Sequence, residues 1–383
     1  MNIPVDYETL RLIWWLFLGI LLIGFAIMDG FDLGAATLLR TVARTDNERR
    51  QVLNAIGPVW EGNQVWLILG GGAIFAAWPA VYATAFSGFY IAMFLVLATL
   101  ILRPVGFEYR NKIADPRWRA SWDWALFAGG LVPSLVFGVA IGNLLQGVPF
   151  RIDNDMRVLY EGSGLFELLN PFGLLCGLVS LAMLTGHGVV FVALKTEGPV
   201  ADRARVAGAL FPGLHVLLFT LAGLWIAKGL PGYALVGAVA HDGPSNPLVK
   251  EVAIVPGQWL KNYEAWPLLK AAPIAGLAGS VLTAVLVVVK RPGFAFVTSA
   301  IAIFGTISTV GVSMFPFLMP SSIAPGASLT VWDSSSSQLT LFVMLCATLL
   351  FLPIVLVYTA FVFRVLRGKM TAEAIEANST HLY

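Results

Sequence analysis

Three carboxylates and one guanidinium stand where the surrounding residues leave little tolerance for charge. Asp29 and Asp32 occur in Met28-Asp29-Gly30-Phe31-Asp32-Leu33-Gly34. Their spacing of three places both side chains on one face of a helix. Glu61 lies in Trp60-Glu61-Gly62-Asn63-Gln64-Val65-Trp66, and Arg103 closes a third apolar run. An ionisable side chain at the centre of a membrane span costs on the order of 3 kcal/mol on insertion scales unless it is paired or hydrated. Acids spaced along a hydrated crevice can hand protons inward, and a neighbouring arginine favours the ionised form of a carboxyl. The four residues therefore read as a proton-uptake route, with Asp29, Asp32 and Glu61 as carriers and Arg103 as counter-charge. The alternative is a structural ion-pair cluster tying three helices together, or charges at helix ends near the headgroups. Trp60, Asn63, Gln64 and Trp66 cannot all face lipid without cost. They are expected to support the acids, to hydrogen-bond between helices, or to meet a partner protein.

Other residue patterns look chemical but read as structural. There are four histidines, and only His187 and His215 fall in apolar runs; His241 and His381 do not. Six-coordinate haem needs two axial ligands at matched depth on facing helices. Nothing else near this pair resembles a haem pocket, so both read as hydrogen-bonding core residues, and neither haem nor metal ligands are assigned. Cys176 and Cys346 lie in apolar runs and offer no disulfide framework or zinc spacing. Gly70-Gly71-Gly72 lacks the Lys-Ser/Thr of a phosphate loop and reads as a place of close helix approach. Trp122-Asp123-Trp124, with the 12 tryptophans overall, fits interfacial belts. Trp332-Asp333, followed by four serines, reads as the N-cap of the last helix.

The elements that must position these residues follow from composition. The chain has 383 residues, of which 58% are hydrophobic and 12% charged; a soluble domain carries roughly 25% charged residues. This is an all-α, polytopic membrane protein. Nine apolar runs have spanning length, at about 11–37, 54–77, 80–103, 122–145, 168–194, 206–230, 266–289, 293–317 and 337–364. With nine spans, 17 of the 24 basic residues fall on one side. The positive-inside rule makes that side cytoplasmic, with the N-terminus periplasmic and the C-terminus in the cytoplasm. Acidic Asp6 and Glu8 and an overlong apolar run argue against a cleaved signal peptide. Residues 1–366 are expected to form a single membrane domain, grouped as two four-helix bundles plus one extra helix, although no internal repeat supports the division. The segment 231–265 is the longest periplasmic loop and reads as an ordinary structured loop; the alternative is a contact surface at His241 and Asp242. The tail 367–383, with Lys369, Glu373 and Glu376, is expected to be a short cytoplasmic helix.

A series of polar-rich motifs runs in order along nearly the whole chain. It begins with Ile13-Trp14-Trp15 and Asp29-Gly30-Phe31-Asp32-Leu33-Gly34, then Trp60-Glu61-Gly62-Asn63-Gln64-Val65-Trp66-Leu67. Phe75-Ala76-Ala77-Trp78-Pro79, Arg103-Pro104 and Gly142-Asn143-Leu144-Leu145-Gln146-Gly147-Val148-Pro149-Phe150 follow. Asn170-Pro171-Phe172, Met314-Phe315-Pro316 and Met319-Pro320-Ser321-Ser322 complete it, with Trp332-Asp333 and Gln338-Leu339-Thr340-Leu341. In these motifs the chain resembles subunit II of cytochrome bd-type ubiquinol oxidases, including the cyanide-insensitive bd-like enzymes.

The resemblance implies an obligate partner, subunit I, which carries b-type haems, a d-type haem and the quinol-oxidising loop. It implies a multi-pass protein of the bacterial inner membrane, in a complex that oxidises quinol, reduces oxygen to water and builds a proton gradient. This subunit would hold no haem, would be inactive alone, and would support subunit I while contributing to a proton path. Some members hold a structural quinone here, for which no position can be assigned, and small single-helix accessory subunits are left open. The family's acidic position in the second span can be Asp; Glu61 adds one methylene and alters the reach of the carboxylate. Two other classes compete on the residues alone. One is a standalone transporter coupling through the same acids, which the lack of repeat symmetry disfavours. The other is a purely structural scaffold.

Overall fold

A backbone in lipid satisfies its amides only by closing them into helices or barrels, and the protein, described here by a computed structural model, takes the helical solution. The structure describes residues 3–162, 164–371, 373 and 375. Helix α1 (Tyr7–Met28) is started by Asp6, whose carboxylate accepts from the Thr9 amide at 2.7 Å. Only Asp29 separates it from α2 (Gly30–Val42). Helix α3 (Asp46–Ile56) opens on a capping box formed by Thr45 and Glu48. Then come α4 (Trp60–Ala77), α5 (Pro79–Gly88), α6 (Tyr90–Leu100) and α7 (Leu102–Tyr109), the last three broken only at Phe89 and Ile101. Helix α8 (Pro116–Gln146) has Asp115 as its cap and Pro116 at its first position, where the missing N–H costs nothing. It stops at Gly147, whose φ of 88° suits glycine.

A short antiparallel pair, β1 (Phe150–Ile152) and β2 (Val158–Tyr160), and the one-turn α9 (Leu165–Leu168) follow. Helices α10 (Pro171–Lys195) and α11 (Gly198–Gly229) lead into the hairpin of β3 (Pro231–Val236) and β4 (Glu251–Pro256). The remainder is α12 (Lys261–Ala265), α13 (Ala271–Val288), α14 (Pro292–Met314), the paired β5 (Phe317–Met319) and β6 (Leu329–Thr330), and α15 (Gln338–Val365). The segment 231–265 thus holds the β3–β4 hairpin and the short α12.

Among the described residues, eight helical segments are long and apolar enough to cross a membrane. The expected span 54–77 is not one of them. Residues 54–56 belong to α3 instead, and α4 begins at Trp60 with 18 residues whose first turns carry Glu61, Asn63 and Gln64. The expected span 80–103 is divided among α5, α6 and the start of α7, with the apolar stretch at Tyr90–Tyr109.

Helix α10 sits at the centre, packed against α2, α8, α11 and α14; α1 packs on α4 and α14, and α15 on α1 and α4. The α2–α10 crossing is set by glycine. A Cβ at Gly34 would stand 2.1 Å from the Leu184 carbonyl oxygen, and one at Gly188 would stand 2.4 Å from the Ala35 amide. By contrast, a Cβ at Gly71 or Gly72 meets nothing within 4 Å. A Cβ at the buried Gly70 would meet only Leu22 Cδ2, at 3.9 Å, so the triple glycine makes no tight backbone approach inside this chain, which corrects the reading made from its composition. The last helix is capped by Ser337, which accepts from the Thr340 amide, and not by Asp333. Large apolar side chains such as Leu350, Ile354, Val357 and Phe361 stand exposed along α15, as expected of a lipid-facing wall. In the tail, Lys369 and Glu373 are described; Glu376 and His381 lie outside the described residues.

Candidate functional site

Asp29 ends α1, Asp32 lies in the first turn of α2, and Arg103 reaches them from the start of α7. Arg103 Nη1 donates to Asp29 Oδ2 at 2.9 Å and Nη2 to Asp29 Oδ1 at 2.7 Å. The same Nη2 lies 3.9 Å from Asp32 Oδ2. From α4, Asn63 donates its side-chain amide to Asp32 Oδ2 at 2.8 Å. All four side chains are buried. Asp32 Oδ1 is also shielded and has no hydrogen-bond partner among the described residues. Arg103 is held from behind by α8: a Cβ at Gly129 would come 3.0 Å from its Cγ, so only glycine leaves the stem its channel.

The arrangement is two carboxyls against one guanidinium, in a place where an unpaired charge is expensive. The fork of Arg103 matches Asp29 in the two-point geometry that makes such pairs strong. Asp32 takes the remaining, weaker contacts. The site can therefore fix one carboxylate and leave a second carboxyl able to hold a proton.

The other residues singled out in the sequence fall around this centre unevenly. Trp60 is buried and stacks on Phe107, with ring centroids 5.4 Å apart. Trp66 is buried against α1, where a Cβ at Gly24 would clash with its ring at 2.5 Å. Gln64 is half-buried. Glu61 does not join the cluster. It stands in the first turn of α4, not two turns inside a span, and is exposed beside Gly62, Val65 and Ile68. Asn63 and Glu61 thus leave opposite sides of one helix.

Several ion pairs escaped the sequence reading. Asp123, taken as part of an aromatic belt, is fully buried and receives Arg110 Nε at 2.7 Å and Arg49 Nη1 at 3.0 Å. Asp46 extends the network to Arg110 and Arg119, each at 2.8 Å. Charges read as a basic loop rim are therefore partly a clamp joining α3, α7 and α8. The signal was an aspartate opening the span beside five nearby basic residues. At the other end of the molecule Arg11, the first residue of the expected span 11–37 and one of the seven basic residues counted outside the cytoplasmic set, is fully buried. It donates to the carbonyls of His241 (2.5 Å) and Gly243 (3.0 Å) and to the hydroxyl of Ser335 (2.8 Å). Lys250 pairs with Asp333 at 2.9 Å. Burial pulls the Lys250 ammonium below the ordinary lysine value, and Asp333 opposes that pull.

The two histidines in spans have all four ring nitrogens engaged. His187 Nδ1 meets Ser299 Oγ at 2.7 Å and its Nε2 meets the Ile27 carbonyl at 2.9 Å. His215 Nδ1 meets Ser280 Oγ at 2.8 Å and its Nε2 meets Thr306 Oγ1 at 3.2 Å. The cavity that both rings line holds about 10 Å³, enough for one water and far too small for a porphyrin. These residues do not fit a haem. No group of three metal-binding side chains occurs among the described residues.

Comparison with known proteins follows the same lines. Residues 10–366 match the family model described as cytochrome bd terminal oxidase subunit II. The chain is 50% identical over 379 residues to cytochrome bd-I ubiquinol oxidase subunit 2 of Escherichia coli K12, covering 99% of this chain and 100% of the relative. It is 33% identical over 361 residues to cytochrome bd ubiquinol oxidase subunit 2 of Bacillus subtilis 168, covering 93% and 96%. A chain of the solved bd oxidase from Geobacillus thermodenitrificans superposes with a TM-score of 0.68 over 93% of this chain and 98% of that one, at 16% identity.

Proposed function

Because the chain belongs to the cytochrome bd terminal oxidase subunit II family, we propose that it is the haem-free partner of subunit I and that it conducts protons from the cytoplasm toward that subunit. The observation that carries this reading is the buried set of Asp29, Asp32, Arg103 and Asn63. Arg103 neutralises Asp29 through two short contacts. Asp32, at 3.9 Å from Arg103 and with Oδ1 unpartnered, is then the carboxyl that balances the site by holding a proton. In this assignment the Asp29–Arg103 pair is the tie between helices and Asp32 is the carrier. Glu61, exposed on the outward side of α4, is the next acid, on the face turned to subunit I.

The finer architecture belongs to the same proposal. With α4 as the ninth crossing, the chain ends lie on opposite sides of the bacterial inner membrane. The basic loops make the N-terminus periplasmic and the C-terminus cytoplasmic. The first four crossings and the next four form two groups, with α15 as the extra helix. The b-type and d-type haems supply electron transfer and oxygen chemistry in subunit I. The fully engaged nitrogens of His187 and His215 support their absence from this chain. Ubiquinol and oxygen are handled by the complex, and family membership removes the standalone transporter reading.

The test is Asp32→Asn in the intact complex, reconstituted in liposomes. Quinol-driven oxygen reduction is expected to fall by at least about tenfold, a modest share of what positioned proton carriers contribute, with the haem spectrum unchanged. Parent-like turnover with full haem content would reduce the cluster to a scaffold.

A further inference from the structure

A cavity of about 210 Å³ lies where the ends of α10 and α15 meet the turn between α3 and α4. Protein interiors rarely leave voids much larger than a water molecule. An engineered apolar cavity of about 150 Å³ already accepts benzene. The walls here are apolar, with Val59, Phe191, Phe363 and Leu366 among them, and Lys195 and Lys369 stand at the rim. Lys195 Nζ donates to the Leu366 carbonyl at 2.5 Å and more weakly to that of Gly368 at 3.4 Å, which leaves a third donor. Lys369 is exposed and pairs with Glu197 at 3.1 Å, with both side chains more than half exposed. The cavity also adjoins the exposed apolar side of α15, where Phe361 and Val365 are each 62% exposed. An occupant can therefore arrive from the bilayer without crossing water.

We infer that this cavity is a seat for one anionic phospholipid, with part of an acyl chain against Phe191 and Phe363 and the phosphate at Lys195 and Lys369. The apolar walls select a lipid over a free anion, because inorganic phosphate gains nothing from them. The basic rim selects an anionic over a zwitterionic headgroup, since a lysine near a negatively charged lipid surface strengthens attachment by about fivefold. The seat would add to the direct contacts by which the end of the peripheral α15 already meets α10 and α3, where Phe363 and Leu366 pack against Val52, Leu53 and Phe191.

The test is native mass spectrometry of the purified complex in detergent, titrated with phosphatidylglycerol, phosphatidylcholine or inorganic phosphate. The parent is expected to retain one more phosphatidylglycerol than the Ala55→Leu complex, in which the larger side chain takes up part of the cavity that Ala55 lines. Lys369→Gln, a change at an exposed side chain, is expected to weaken that one binding event about fivefold. Phosphatidylcholine is expected to bind more weakly than phosphatidylglycerol, and phosphate to displace neither. Equal retention by parent and Ala55→Leu, equal affinity for the two lipids, or displacement by inorganic phosphate would each overturn the assignment. So would copurified quinone in place of the lipid.

Discussion

Arg103 grips Asp29 with contacts of 2.9 and 2.7 Å while standing 3.9 Å from Asp32. In the proposed route, that asymmetry gives different work to two acids only three residues apart. The Asp29 pair is geometrically complete and hard to disturb. Asp32 depends on a single amide from Asn63, so the protonation of its carboxyl changes fewer contacts.

Removing Arg103 leaves Asp29 buried without its partner. Arg103→Ala is expected to destabilise the subunit by about 3–5 kcal/mol, the usual cost of breaking a buried pair from one side. Arg103→Lys keeps the charge and loses the two-point grip, so it is expected to fall between parent and alanine. Thermal melting of the complex orders the three. The pH profile of residual turnover adds a second readout: a profile for Arg103→Lys identical to the parent's would separate the arginine from proton handling.

The crossing of α2 and α10 makes a sharper structural prediction. Alanine at position 34 would place its Cβ 2.1 Å from the Leu184 carbonyl oxygen and 3.0 Å from Gly188 Cα. Both atoms are backbone, so the helices must part. Gly34→Ala is expected to cost about 1–3 kcal/mol, as overpacking does, and to lower the yield of haem-loaded complex. Gly19→Ala is the control, since a Cβ there meets nothing within 4 Å and helix propensity favours alanine by up to about 1 kcal/mol. Similar yields for the two variants would remove the tight crossing from the argument.

Glu48 gives a pH dependence with a definite sign. Burial pulls its carboxyl upward, but the hydrogen bonds from Arg203 and from the amides of Arg44 and Thr45 outweigh it, so the group sits below its ordinary value of 4.5. The folded protein therefore binds fewer protons than the unfolded chain just below that value. The resulting stabilisation is fully present above 4.5 and is lost as pH falls through the folded value. Glu48→Gln is expected to melt below the parent at neutral pH, with the gap closing on acidification. A gap independent of pH would trace the effect to the capping box alone.

How much of this was readable from residue types depends on what each feature requires. Asp29, Asp32 and Arg103 were legible as a group because helix spacing and loop alternation place them at one depth, and depth is what hydropathy encodes. Azimuth was not. Asn63 and Glu61 are two residues apart, and whether a side chain turns inward depends on how α4 rolls against α1. Asp123 and Arg11 were misread for a related reason. Arg49 and Ser335, one partner of each, are distant in sequence, and a charge near a span boundary looks like a rim charge until the fold brings such a partner over. The triple glycine at 70–72 failed because composition signals a capacity for close approach without saying which helix uses it.

Glu61 decides whether the proton route continues out of this chain. It is exposed on α4 beside Gly62 and Val65, so its carboxylate makes no part of this subunit's packing, and Glu61→Gln is expected to leave melting and haem content at parent values. If subunit I receives protons there, removing the carboxylate interrupts transfer, and turnover is expected to drop by about tenfold or more. Glu61→Asp is expected to restore part of the rate, because it keeps the acid and shortens its reach by one methylene. Glu61→Gln at full turnover would end the route at Asp32. A fall in complex yield at unchanged specific activity would instead make Glu61 a docking contact.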